Sequence, residues 1–395
     1  MGKQHYSAAA NKIIDEIKTF AADMVDIRHD LHAHPELGYQ EERTSAVIEK
    51  LLKSWGYEVT TGLGKTGVVG QLKVGTGLKR IGLRADFDAL PIEEMTNLEY
   101  RSKNDGKMHA CGHDGHTAML LTAARYLAQT RNFNGTLNVI FQPAEESLAG
   151  AKAMIDDGLF EKYPCDAVFG IHNMPGAPAG FISSRVGSFM PSSDSVKITV
   201  IGRGGHGAVP EKTVDPIVAG ASIIMALQTV VSRNVPPLET AVVTVGSFHA
   251  GHAQNVISDR AEMLLTVRCF SNEVRDLLQN RIETIATSQA ESFGARVEID
   301  YKRIYPPLVN HEKETLFATQ VAQDFFGAEN VDANSARASG SEDFAFMLEE
   351  CPGCYLTIGN GDSAPLHNAA YDFNDENIPL GAAFWAALTQ KYLNA

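Results

Sequence analysis

The chain has 395 residues, 44% hydrophobic and 21% charged, a composition that excludes a disordered or fibrous protein and, at this length, predicts more than one core. A formal net charge of -14 without any basic stripe among the aromatics excludes nucleic-acid binding. The opening MGKQHYSAAANKIIDEI has no apolar export core, and five cysteines, an odd number, fit a reducing compartment better than a disulfide framework, so the expectation is a cytoplasmic protein with no membrane partner.

In chain order, Ile13, Ile14, Ile17, Phe20, Met24, Ile27 and Leu31 recur at helical spacing and predict a helix over 11–33, ended by Pro35. A second helix is predicted over 44–55, stopped by Gly56. Short β-branched runs at 68–72, 80–85 and 137–141 then alternate with a helix over 116–128, the pattern of an α/β sheet. From 190 to 304 the pattern changes. VKITVIG, TAVVTVGSF and AEMLLTVRCF alternate like strands with one exposed face, and helices over 216–231 and 272–293 accompany them, which predicts a small α+β domain with an antiparallel sheet. The 216–231 run is the most apolar of the chain, yet Ser222 and Gln228 interrupt it and it is too short to span a bilayer, so it reads as a packed helix. A helix over 312–327, a strand over 354–358 and a final helix over 379–392 complete the chain.

The densest chemistry lies in HACGHDGHT, 109–117. Cys111 and His113 stand two apart in a glycine-containing loop, so both side chains can face one ion, while Asp114 is expected to cap the helix that follows. In FQPAEES, Glu145 and Glu146 directly follow a strand. Neighbouring side chains diverge, so one carboxylate can bind metal while the other faces water, the division a hydrolytic site needs; the residues alone leave open which does which. RADFDAL, HNMP and GNGDSAPLHN likewise each follow a predicted strand, and in open α/β sheets the binding crevice lies at the carboxyl ends of strands. That placement makes His172 and His367 ligand candidates. Because His367 lies beyond the antiparallel region and every other ligand candidate precedes it, the smaller domain is predicted to be an insertion: residues 1–189 and 305–395 form the catalytic domain and 190–304 the inserted one.

Two motifs point elsewhere on their face. GRGGHG, 202–207, matches a dinucleotide fingerprint, but Pro210 follows closely and the preceding strand alternates like an exposed one, so no nicotinamide cofactor is expected. Cys351-Pro-Gly-Cys354 lacks the second pair a zinc site needs and reads as a turn before a strand.

HAHPELGYQE, RADFDALP, HACGHDGHT, FQPAEE, GIHNMP, GGHGAVP, GSEDF and LHN occur together in one order, and by them the chain resembles the aminoacylase/carboxypeptidase-type metallopeptidases, in particular the hippurate hydrolase and indole-acetyl-amino-acid hydrolase branch. The match runs nearly end to end. The resemblance implies an α/β catalytic domain with a mixed, largely parallel sheet, interrupted by a smaller lid or dimerisation domain, in a homodimer or dimer of dimers. It implies Cys111, His113, Glu146, His172 and His367 as ligands of two divalent ions, one ligand bridging them, with Glu145 as catalytic base and Asp86 as a carboxylate supporting the ligands. Arg84 stands where distant peptidase members use a histidine, and Cys111 marks the cysteine branch. His206 matches a histidine that reaches a partner subunit's site to stabilise the oxyanion, and Asn255 with Arg268 matches the pair that receives the substrate carboxylate.

The implied reaction is hydrolysis of an N-acyl amino acid to a carboxylic acid and a free amino acid; the alternative is a dipeptidase or carboxypeptidase using the same site. A thiolate favours Zn²⁺, while carboxylate and imidazoles accept Mn²⁺, Co²⁺ or Ni²⁺. His32, His34 and Glu36 are expected to be structural at a proline-broken helix end or to support ligands from behind, and Ser341 is expected to cap a helix whose first turn holds Glu342 and Asp343.

Overall fold

The computed structural model describes residues 6–395, so the first five residues of the stretch read for export signals lie outside the described residues. The chain divides into two compact units. One takes the chain up to Gly187 with Val309–Ala336 and Asp343–Ala395; the other is Ser188–Leu308 with Arg337–Glu342. That last run, assigned to the catalytic segment from sequence, clusters with the second unit because Ala338 N–H donates to Phe189 O at 3.0 Å and the Arg337 guanidinium lies 4.8 Å from the Phe270 ring centre.

The first unit is built on an eight-stranded mixed sheet in the order Glu58–Leu63, Gly67–Val74, Gly135–Gln142, Arg80–Asp86, Ala167–Met174, Gly353–Gly359, Ile182–Ser183, Val331–Asp332. Gly135–Gln142, Arg80–Asp86, Ala167–Met174 and Gly353–Gly359 are mutually parallel and nearly continuously buried, as strands covered on both faces must be. Their carboxyl ends therefore share one edge of the sheet. The helices His113–Thr130 and Asn377–Leu393 pack closely: a methyl group on Gly381 would stand 2.3 Å from Met119 Sδ.

The predicted helix over 11–33 is two helices, Ala8–Lys18 and Ala21–Ala33. The Thr19 hydroxyl donates to Glu16 O at 2.7 Å, a local bond that competes with the helical ladder, and Phe20 leaves helical geometry at φ -133. Glu36 is structural, as expected. Its carboxylate accepts from Arg43 N at 3.0 Å and Thr44 N at 2.8 Å, capping the helix Glu42–Ser54.

The second unit carries a four-stranded antiparallel sheet, Ala241–Ala250, Arg260–Cys269, Ser193–Ile201, Arg296–Tyr305. Alternate residues Val196, Ile198, Val200, Met263, Leu265 and Val267 are buried with Ala219, Ile223, Leu278 and Ile282 of the helices Pro216–Leu227 and Asn272–Ser292. The apolar run 216–231 is not one packed helix. It breaks at Gln228 before Thr229–Asn234, and Met225 is 71% exposed. GRGGHG leads into a short antiparallel strand, Gly205–His206, paired with Val256–Ile257, rather than into the helix a dinucleotide site requires.

Candidate metal centre

All five ligand candidates belong to the first unit. Glu145 and Glu146 follow Gly135–Gln142 through Pro143 and Ala144, and His367 lies in the loop beyond Gly353–Gly359. His172, expected just after a strand, lies within one, because the hydrogen-bonded ladder with Gly353–Gly359 continues to Met174. Ligand atoms of Cys111, His113 and His172 lie within 4.8 Å of one another, and so do those of Cys111, Glu146 and His367. Cys111 belongs to both groups. A third group joins Glu145 and Glu146 to His113. Individual contacts are Cys111 Sγ to His172 Nε2 at 3.3 Å and His367 Nε2 to Glu146 Oε1 at 3.2 Å.

Backbone contacts decide which nitrogen of each buried ring faces the centre. His172 Nδ1 lies 2.6 Å from Asn173 O and His113 Nδ1 lies 3.0 Å from Asp88 O. A carbonyl only accepts, so Nδ1 carries the proton in both rings and Nε2 keeps its lone pair for the centre. His113 Nε2 is buried without a hydrogen-bond partner, a state that costs about 1–3 kcal/mol unless another partner is supplied. A sulfur, imidazole nitrogens and carboxylate oxygens converging on such an atom fit divalent cations.

The electrostatics point the same way. Burial disfavours a proton on His113, but the Asp86 carboxylate and Cys111 outweigh it and hold its pKa well above the usual imidazole value. Beside the Cys111 sulfur and Glu146, His367 is raised to about 10. Groups that stabilise an extra proton also stabilise a cation in its place. Burial pushes the Cys111 thiol up, opposed by His113, and burial with neighbouring His116 pushes His172 well down.

Asp86 ends its strand and supports this arrangement. Its Oδ1 takes the His116 Nδ1 proton at 2.6 Å and its Oδ2 accepts from Arg84 Nη1 at 2.8 Å. His116 Nε2 accepts the Asn173 N–H at 3.0 Å, which fixes the donating tautomer. Burial works against charge on Asp86, yet Arg84 and the two histidines hold its carboxyl well below the usual range. Asn173 also donates to Cys111 O at 2.7 Å and accepts from the Tyr371 hydroxyl. Gly112, at φ +89, is needed here, since a methyl group would stand 2.4 Å from Asn173 Nδ2.

The Glu145–Glu146 turn is held in unusual backbone geometry: Ala144, Ser147 and Ala149 all have left-handed φ, of 53, 61 and 56. Three buried carboxylates pin it. Glu41 accepts from Ala144 N at 2.9 Å, Asp88 from Glu146 N at 3.0 Å and Asp343 from Ala151 N at 2.9 Å. Glu41 and Asp88 were not singled out from sequence; Asp343 was, but only as a residue in the first turn of a helix. Asp88 had a signal, because it stands two from Asp86 in an extended segment and so shares its face. Two helix-cap expectations are corrected. Asp114 makes no cap but forms a buried cluster with Arg28 Nε at 2.8 Å and His32 Nδ1 at 2.9 Å. Ser341 is not the cap of the helix Phe344–Glu350, because Asp343 occupies that position and its carboxylate is also taken by Gln142 Nε2.

The second unit holds His206, Asn255 and Arg268. His206 and Asn255 are exposed neighbours: Gly207 N–H donates to Asn255 O at 2.8 Å, and His206 Nδ1 accepts from Ala208 N at 3.0 Å, leaving the proton on Nε2. Arg268 is part-buried and its Nη1 donates to Ser341 Oγ at 2.6 Å. Asn255 and Arg268 do not meet. The segment 251–259 closes the end of the sheet where Arg260 pairs with Ile201, whereas Arg268 lies beyond the Val267–Asp194 pair, roughly 25 Å farther along the strand at about 3.3 Å per residue.

Known proteins resemble this chain along most of its length. A hippurate hydrolase of Campylobacter jejuni is 48% identical over 381 residues, covering 96% of this chain and 99% of the relative. An IAA-amino acid hydrolase of Arabidopsis thaliana is 40% identical over 94% of this chain and 85% of its own length. The crystal structure of a dinuclear metal binding peptidase of the M20 family from Bacillus subtilis superposes with a TM-score of 0.83 at 34% identity, covering 95% of this chain and 99% of that one. The sequence model of peptidase family M20/M25/M40 matches residues 82–391, and the chain belongs to that family.

Proposed function

We propose that this protein is a binuclear metal-dependent amidohydrolase that cleaves N-acyl amino acids into a carboxylic acid and a free amino acid. The observation that carries the reading is the membership of Cys111 in two ligand groups, with His113 and His172 on one side and Glu146 and His367 on the other, beside the Glu145 carboxylate. Two divalent ions held there, Zn²⁺ or Mn²⁺ with Co²⁺ or Ni²⁺ as alternatives, would supply the positive charge that polarises the scissile carbonyl and acidifies water.

The chain's own residues do the rest. Glu145 takes the proton of the attacking water on a carboxylate oxygen and passes it to the leaving nitrogen, a role suited to a carboxylate that is buried but not a ligand. Asp86 keeps His116 oriented. The Nε2–H of His206 is directed to the oxyanion, and Asn255 and Arg268 receive the substrate carboxylate. Because Asn255 and Arg268 lie at opposite ends of one sheet, they serve one carboxylate only when they come from two copies of the chain. The proposal therefore includes a homodimer or dimer of dimers. The names of the hippurate and IAA-amino acid hydrolases favour N-acyl substrates, while the Bacillus subtilis relative's description as a peptidase keeps a dipeptidase or carboxypeptidase as the second reading.

The test pairs a hydrolysis panel with one variant. N-benzoyl, N-acetyl and N-indole-acetyl amino acids are expected to be cleaved, and strong dipeptide cleavage without any N-acyl cleavage would replace the first reading with the second. Glu145→Gln is expected to lower kcat roughly 10²–10⁴-fold with fold and metal content retained, and near-wild-type turnover would overturn the proposed base.

A further inference from the structure

Asp88 touches two sides of the centre at once. It is 1% exposed; its Oδ2 accepts the Glu146 N–H at 3.0 Å, while its Oδ1, at 3.2 Å, and its main-chain O, at 3.0 Å, share the His113 Nδ1 proton. Its own position is fixed by its neighbours, since Phe87 N–H donates to Gln142 O at 3.1 Å and Ala89 N–H to Glu36 O at 2.9 Å. Glu146 needs such an anchor. Its φ and ψ of -66 and 84 are non-helical, and Ala144 and Ser147, both left-handed, a conformation costly for residues with a Cβ, flank the Glu145–Glu146 pair. A segment in that conformation holds one shape only when outside contacts over-determine it.

We infer that Asp88 is a positioning residue that sets the separation of His113 and Glu146, acting on metal affinity through those two groups without itself ligating. The inference rests on the reading of His113 and Glu146 as ligands. Both partners of the Asp88 carboxylate are N–H donors, so a carboxylate satisfies both, an asparagine satisfies one while turning its amide hydrogens toward the other, and an alanine side chain satisfies neither, leaving His113 Nδ1 only the main-chain O. The order of effect is therefore Asp88→Ala above Asp88→Asn.

The experiment is a titration of the metal-stripped full-length chain with Mn²⁺, followed by the electron paramagnetic resonance signal of the free ion. Asp88→Ala is expected to weaken Mn²⁺ binding roughly 10–100-fold, the usual range for a residue behind a ligand, and Asp88→Asn several-fold. In a Glu146→Gln background the added effect of Asp88→Ala should shrink severalfold, because part of what it positions is already gone. A merely structural role would instead give the same fold-change in both backgrounds. Binding within twofold of wild type in the Asp88 variants overturns the inference. Should Asp88→Ala fail to fold, Asp88→Asn decides by the same twofold criterion. If Glu146→Gln itself binds Mn²⁺ like the wild type, the ligand reading fails first; if it weakens binding and the Asp88 variants do not, the inference alone fails.

Discussion

The two units present their chemistry in opposite ways. In the first, Cys111, His113, Glu145 and His172 are buried, and carboxylates or carbonyls, from distant segments at His113 and Glu146 and from the next residue at His172, hold them in place. In the second, His206 and Asn255 stand exposed on a short strand pair and its loop, held by main-chain contacts. A buried array confounds stability with function, because each member is also a brick. An exposed histidine contributes little to its own fold, so its loss should be read in catalysis alone.

The sharpest way to break that comparison is Arg84→Met, which should act on the fold. Arg84 is 1% exposed and bonds Gln142, Asp86 and Asp343, so its removal strands two buried carboxylates. A loss of about 3–5 kcal/mol is expected in urea denaturation. A variant as stable as wild type would mean the array is not structural. Next comes His206→Ala, expected to lower kcat roughly 10²–10³-fold while Tm and bound metal stay unchanged. A fall in Tm with turnover preserved would erase the contrast between the units. Arg268→Ala should raise KM roughly tenfold or more with kcat little changed, the mark of lost ground-state binding, and unchanged kinetics would remove it from the substrate contact.

The smallest effect concerns Glu41. Burial pushes its carboxyl up to about 7 against the bond from Thr66, whereas an unfolded glutamate titrates near 4.5. The folded chain thus keeps this proton to higher pH than the unfolded one, so the Glu41 contribution to stability is most favourable below pH 4.5, declines as pH rises toward 7 and is flat above. Glu41→Gln keeps the shape and removes the slope. Its Tm should gain on the wild type between pH 4.5 and 7 and hold a constant offset beyond; parallel curves would show that Glu41 ionises freely.

The sequence displayed the strand-end pattern because each element is local: an apolar run followed at once by Asp86, Glu145 or His172 can be read without knowing the fold. Cys111 and His113 were legible for the same reason. What stayed hidden are contacts made by closure of the chain. Ala144 meets Glu41 and Ala151 meets Asp343 across long stretches of sequence, and nothing near any of them signals the pairing. The break at Thr19 was missed because apolar spacing continues across it, while a single hydroxyl decides the backbone. Asn255 and Arg268 look like neighbours at thirteen residues' separation, yet an extended strand carries them apart.

One detail of the centre bears on inheritance. The proton positions on His113 and His172 are set by the carbonyls of Asp88 and Asn173, and a main-chain carbonyl is encoded by no particular codon. Drift at either position can change what the side chains do and still leave the proton of each ring on Nδ1, provided the backbone keeps its course. The tautomers of these two rings are therefore buffered against mutation, and selection at Asp88 and Asn173 is free to act on what their side chains hold, the Glu146 N–H in one case and Cys111 O in the other.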